Sequence, residues 1–142
     1  MPKLIENHIS YTELFRMLAT KHKDILHVED SDVHFVRCVL SKHPMLSQAD
    51  LTEFIKSNHQ RLKYPALVLV AYSTDYSQNH NDAKRKPIQG EFFILDKASN
   101  DDWGGLEIKL DSTEKIGEDI LGYLVDYYDE HPEDGRFMFD DS

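Results

Sequence analysis

The sequence predicts an α+β fold: a single domain, 1–142, in which a small, mostly antiparallel sheet carries two or three helices. Three observations predict it. Two apolar runs, Pro65-Ala-Leu-Val-Leu-Val-Ala-Tyr72 and Glu91-Phe-Phe-Ile-Leu-Asp96, have the composition of central strands. Other stretches place apolar residues at helical spacing. The length of 142 residues suits one domain, and such a chain buries roughly 70% of its unfolded surface. No internal repeat or dividing linker interrupts it.

Taken in order, residues 8–27 read as an amphipathic helix. Tyr11, Leu14, Phe15, Leu18 and Ile25 form its apolar side, and Ser10 with Glu13 has capping-box spacing. Residues 28–32 read as a turn. Residues 33–40 are β-branched and aromatic and read as a strand, with a short buried helix capped by Asp32 as the alternative. His43-Pro44 ends that element. A second helix follows over 47–62, capped by Ser47, with Leu51, Phe54, Ile55 and Leu62 as its stripe. Pro65 stops it and introduces the strand 66–72, apolar on both faces and therefore central.

Residues 73–89 form a polar excursion holding Lys84-Arg85-Lys86, and 90–96 is the returning strand. Residues 98–105 read as a loop. Leu106, Ile108 and Leu110 then alternate with Glu107 and Lys109, the pattern of a half-buried strand. A last helix starts near Asp111, Ser112 and Glu114 and carries Ile116, Ile120, Tyr123, Leu124 and Tyr127 on one stripe. Gly117 and Gly122 inside it point to close approach to the sheet. Pro132 ends the helix, and 136–139 reads as a short final strand.

Charge is unevenly placed. Residues 1–71 hold 9 Lys/Arg against 8 Asp/Glu, and residues 72–142 hold 7 against 18, so the net −10 belongs to the second half. A duplex-DNA reader carries a basic face, so the balance argues against nucleic acid. An acidic half more often only keeps a protein soluble, or it steers the protein toward a basic partner surface. The one cysteine, Cys38, rules out an internal disulfide. The amino terminus lacks an apolar signal region, and no run reaches the ~18 residues of a membrane helix. A cytoplasmic setting is expected.

Motifs for chemistry are sparse. The chain has no GxxxxGK[ST], GxGxxG, HExxH or GxSxG. His22, His27 and His34 lie near one another, but the five-residue spacing of the first two does not share a helical face. Solvated or helix-end histidines are the plainer reading, and no metal or cofactor is expected. Cys38 sits in an apolar run as a small hydrophobe. Asp101-Asp102 and Asp140-Asp141 are carboxylate pairs in a chain rich in acid. Lys84, Arg85 and Lys86 are the one basic cluster of the acidic half. With Tyr76, Asp101, Asp102 and Trp103 they are the candidate partner-binding residues.

The opening helix with Lys21-His-Lys-Asp-Ile25, then Leu62-Lys-Tyr-Pro-Ala-Leu-Val-Leu69, two core strands around a long excursion, and the Ile116-Gly-Glu-Asp-Ile120 helix make a pattern. It resembles small structural proteins of phage tails, the tail-terminator and neck-completion type, over most of residues 10–130. The resemblance implies helices packed on one sheet. It also implies a ring, often of six copies, that joins a tail to a head, with no catalytic residues. The chain departs from it by stopping soon after the last helix.

The expectation is a non-enzymatic structural or assembly protein whose partners are itself, as a homo-oligomer up to a hexamer, and other assembly proteins. It would be virion-associated if the resemblance holds. The alternative is an acidic, monomeric or dimeric protein-binding module of the inhibitor or immunity type.

Overall fold

The computed structural model describes residues 5, 7–40, 44–58, 60–74, 88–98 and 101–134. They form α1 (His8–Lys21), β1 (Phe35–Cys38), α2 (Pro44–Asn58), β2 (Ala66–Thr74), β3 (Ile88–Leu95) and α3 (Trp103–Glu130), then a 3-10 turn at Pro132–Asp134. This is the expected α+β class. The sheet is mixed, in the order β1-β2-β3. β1 runs parallel to β2, with Phe35 opposite Leu67; β3 runs antiparallel, with Ile94 opposite Leu67. A parallel pair needs a crossover, and α2 lies in that connection.

β2 divides the core. Leu67 and Leu69 face one side with Phe35, Phe92 and Ile94, where Tyr11, Leu14, Phe15 and Leu18 of α1 and Ile116, Ile120 and Leu124 of α3 cover them. Ala66 and Val68 face the other side with Val33, Val36 and Leu62, and Phe54 of α2 packs there. Residues 66–69 are at most 1% exposed, as expected of a central strand covered on both faces.

A bulge interrupts the β2–β3 ladder: Val70 lies opposite Glu91, but Ser73 lies opposite Gln89. By strict alternation Tyr72 would share the side of Val70. The extra residue turns it onto the α1 side, where its ring stacks on His8 at 3.9 Å and meets Tyr11 edge-on at 5.1 Å. Gly90 of β3 makes room for this packing, because a Cβ there would strike the Tyr11 hydroxyl. Tyr11 Oη donates to the Val70 carbonyl at 3.3 Å. Burial pushes its pKa up to about 12.

Helix boundaries differ from the sequence expectation in four places. The cap of α1 is Asn7, whose side chain accepts from Ser10 N at 2.9 Å while Ser10 Oγ accepts from Asn7 N at 3.0 Å. Asn7 and Ser10 repeat the spacing of Ser10 and Glu13 one turn earlier, and Asn caps as well as Ser. Glu13 instead pairs with Arg16. The helix stops at Lys21, and Ile25 is buried from the loop beyond it. Likewise α2 starts at Pro44 and not after Ser47, since proline fits a first helical turn. It ends at Asn58, leaving Leu62 buried from the following turn.

The largest correction concerns residues 98–115. The loop to Gly105, the strand over 106–110 and the helix start near Asp111 are replaced by one helix from Trp103. Asp102 caps it, accepting from Gly105 N at 2.9 Å. Gly105 permits the tight cap, because a Cβ there would lie 2.5 Å from Asp102 Oδ2. Leu, Glu and Lys are strong helix formers, so this stretch continues α3 where no strand partner competes. Gly117 and Gly122 do not approach the sheet: a Cβ on either would meet nothing within 4 Å. The final strand over 136–139 lies outside the described residues.

Candidate functional site

α3 has two unlike halves. From Ile116 onward it buries Ile116, Ile120, Leu124 and Tyr128, an i, i+4 series that packs its carboxyl half down. From Trp103 to Lys115 it buries no residue. In this half Trp103 is 70% exposed, Ile108 70% and Leu110 56%. Large apolar side chains scattered singly on a surface are ordinary; two that share one face of a helix begin a patch.

The rotation of this half is fixed by its inner side. Lys109 Nζ lies 3.4 Å from Asp96 Oδ2 at the end of β3, and the Asp96 side chain is only 10% exposed. Leu106 and Thr113 are half-buried. At 3.6 residues per turn, Trp103 and Leu110 stand about 20° apart along one line, with Leu106 beside them. Glu107, Asp111, Glu114 and Glu118 fall within about 60° of arc next to that line, and all four are exposed. Ile108 stands on a separate side. Residues 101–134 hold 12 Asp/Glu and 2 Lys, a net of −10 that equals the charge of the whole chain.

Of the predicted partner-binding residues, Asp101, Asp102 and Trp103 lie together at the head of this half. Asp102 is committed to the cap, and Asp101 and Trp103 are exposed. Tyr76, Lys84, Arg85 and Lys86 lie outside the described residues, as do Asp140 and Asp141. The flanking strands meet at Thr74 opposite Ile88, so 75–87 joins paired neighbours. Ile108 and Leu110 were not among the predicted residues, because alternation assigned them to a strand. The cap spacing from Asp102 to Gly105 and the acids at i, i+4, i+7 and i+11 were the signals for a helix there.

The histidines go to separate structural tasks. His22 Nε2 meets Asp119 Oδ2 at 2.9 Å, tying the end of α1 to α3, while its Nδ1 accepts from Asp24 N. His27 is buried, and its Nδ1 accepts from His34 N at 3.0 Å, which leaves the proton on Nε2. That nitrogen lies 3.2 Å from Glu29 Oε1, close but not aligned as a hydrogen bond. Arg16 Nε reaches the same oxygen at 2.8 Å, again without alignment. His27 and then Arg16 hold the Glu29 carboxyl below its usual range. His34 Nδ1 lies 2.7 Å from the Pro65 carbonyl, which can only accept, so the ring donates its Nδ1–H there.

Among the described residues no three His, Cys, Asp or Glu side chains gather as metal ligands. Cys38 is half-buried at the edge of the α2-side core. Burial, and then Glu91 and Asp50, push its thiol up, away from the reactive thiolate. No helix among the described residues is long and apolar enough to cross a membrane. Comparison with protein-family models, with characterised proteins and with solved structures finds no match to this chain. The fold class and the exposed half of α3 are therefore what bear on function.

Proposed function

We propose that this is a non-enzymatic assembly protein that works by docking another protein surface on the amino-terminal half of α3. One observation carries the reading: Trp103 and Leu110 stand exposed along one line of a half-helix that buries nothing, within the most acidic part of the chain. Tryptophan at such a patch is the residue type that dominates interface energetics. His22, His27 and His34 each engage at least one ring nitrogen in a separate contact within the fold, which also favours a surface role.

The test is a photo-crosslinking amino acid placed at Leu110 in the cell that expresses the protein, with the same group at exposed Lys21 as control. A discrete adduct from position 110 and not from 21 is the expected result. Equal adducts from both, or none from 110, would remove the reading.

A second reading, the ring of identical copies that the phage-tail resemblance implies, is favoured by Val39. It is 79% exposed just past β1, at one edge of the sheet, while α3 packs against β3 at the other. A ring needs two unlike surfaces on each copy. Light scattering across concentration checks it, and a mass that stays monomeric would exclude the ring.

A further inference from the structure

Resting on the reading that α3 is the docking surface, we propose that its occupant is a basic amphipathic helix of a different protein and not a second copy of this chain. Shape supplies the first half of the argument. Trp103, Leu106 and Leu110 follow i, i+3, i+7 spacing, the anchor pattern of helix-to-helix or helix-in-groove recognition. Trp103 and Leu110 are exposed and Leu106 is half-buried, so the line is open along its outer side.

Charge supplies the second half. The carboxylates of Glu107, Asp111, Glu114 and Glu118 run beside this line, each three or four residues from the next. Like charges at that spacing destabilise a helix, and a cationic partner relieves the cost. Lys109, the basic residue nearest this line, is turned inward to Asp96. Two copies meeting face to face would set one acidic stripe against another, and such like-charge juxtaposition disfavours pairing. The basic cluster Lys84-Arg85-Lys86 lies in a stretch, 75–87, with no Leu, Ile, Val, Phe or Met to match an apolar line, and the described residues offer no basic counterpart either. From residue 5 to 74 they carry seven Lys/Arg (Arg16, Lys21, Lys23, Arg37, Lys56, Arg61 and Lys63) against seven Asp/Glu. The surface that fits is apolar along one line with lysine or arginine beside it.

The single tryptophan makes this measurable, since Trp103 is the only source of indole emission. The probe is a synthetic amphipathic helix of Leu and Lys, titrated into the whole protein. Expected is a saturable blue shift of Trp103 emission, with affinity falling about tenfold between roughly 50 and 500 mM salt. A Gly–Lys peptide of equal charge should bind at least about tenfold more weakly, and so should the Leu–Lys helix to L110S. The pair E107K and E114K should lose binding. Both variants change exposed side chains, and circular dichroism is the check that they fold.

Three results would overturn the proposal. One is equal binding of the Gly–Lys peptide, and another is no shift with the Leu–Lys helix. The third is a blue shift that grows with protein concentration alone. In that case a second copy is the occupant, and the docking surface survives although its basic partner does not. Loss of the crosslink at position 110 would instead remove the surface itself.

Discussion

Between Ile116 and Tyr128, α3 buries a residue every four positions; between Trp103 and Lys115 it buries none. Both stretches belong to one unbroken helix. Starting a helix is the costly step, and each added turn then costs little. The carboxyl half is held by the same core that contains Tyr11, Phe15 and Leu69. The amino-terminal half follows from that nucleus, its own strong helix formers and the Asp102 cap. Its length is therefore not a measure of its burial. The difference teaches that a fold can present a rigid surface without spending core residues on it.

The largest test of this contrast pairs two isoleucines. Ile120→Ala should cost about 2–5 kcal/mol in urea unfolding, through a cavity in the core. Ile108→Ala, twelve residues earlier in the same helix, should change stability by less than about 0.5 kcal/mol. Equal effects would mean that the two halves share one environment.

Alkaline titration probes the core that anchors the carboxyl half. Tyr11 ionises near 10 when unfolded and is pushed up to about 12 in the fold. Between those values the folded state binds more protons, so stability falls as pH rises through that window, by about 2–3 kcal/mol. Tyr11→Phe should flatten that part of the fall. An unchanged slope would place the phenol in a wetter site than the structure does.

Asp102→Ala should cost about 1 kcal/mol of helix stability. Hydrogen exchange should quicken over residues 105–112 and stay unchanged over 116–128, since the cap serves only the free half. Uniform quickening would tie the halves together. The smallest effect has the opposite sign. Gly122→Ala adds a methyl that meets nothing within 4 Å, so thermal unfolding should rise by the equivalent of about 0.5–1 kcal/mol. A loss would restore the close approach expected from the sequence.

Much of the fold was legible because it depends on local pattern. The run 66–72 is apolar at every position but its end, so it had to be central, and both faces of β2 are covered. Ile116, Ile120 and Leu124 of the expected stripe are helical and inward, while Tyr123 of the same stripe lies exposed and Tyr128 takes the next inward position. The candidate site was legible only at Asp101, Asp102 and Trp103. Alternation at 106–110 concealed Ile108 and Leu110, because it describes side chains and not the backbone partner a strand needs.

By itself the sequence determined which residues leave water and where the charge collects: the β2 core, the inner faces of α1 and late α3, and the −10 held by residues 101–134. Only the tertiary structure decided where the helices stop, that Ile25 and Leu62 are buried from loops, and that a bulge opposite Gly90 turns Tyr72 inward. It alone decided that the first turns of α3 stand clear of the core. The physical reason is that hydrophobicity and propensity are properties of a local window. Whether a backbone finds a strand to pair with, or a side chain finds a wall to pack against, depends on segments far away in the chain.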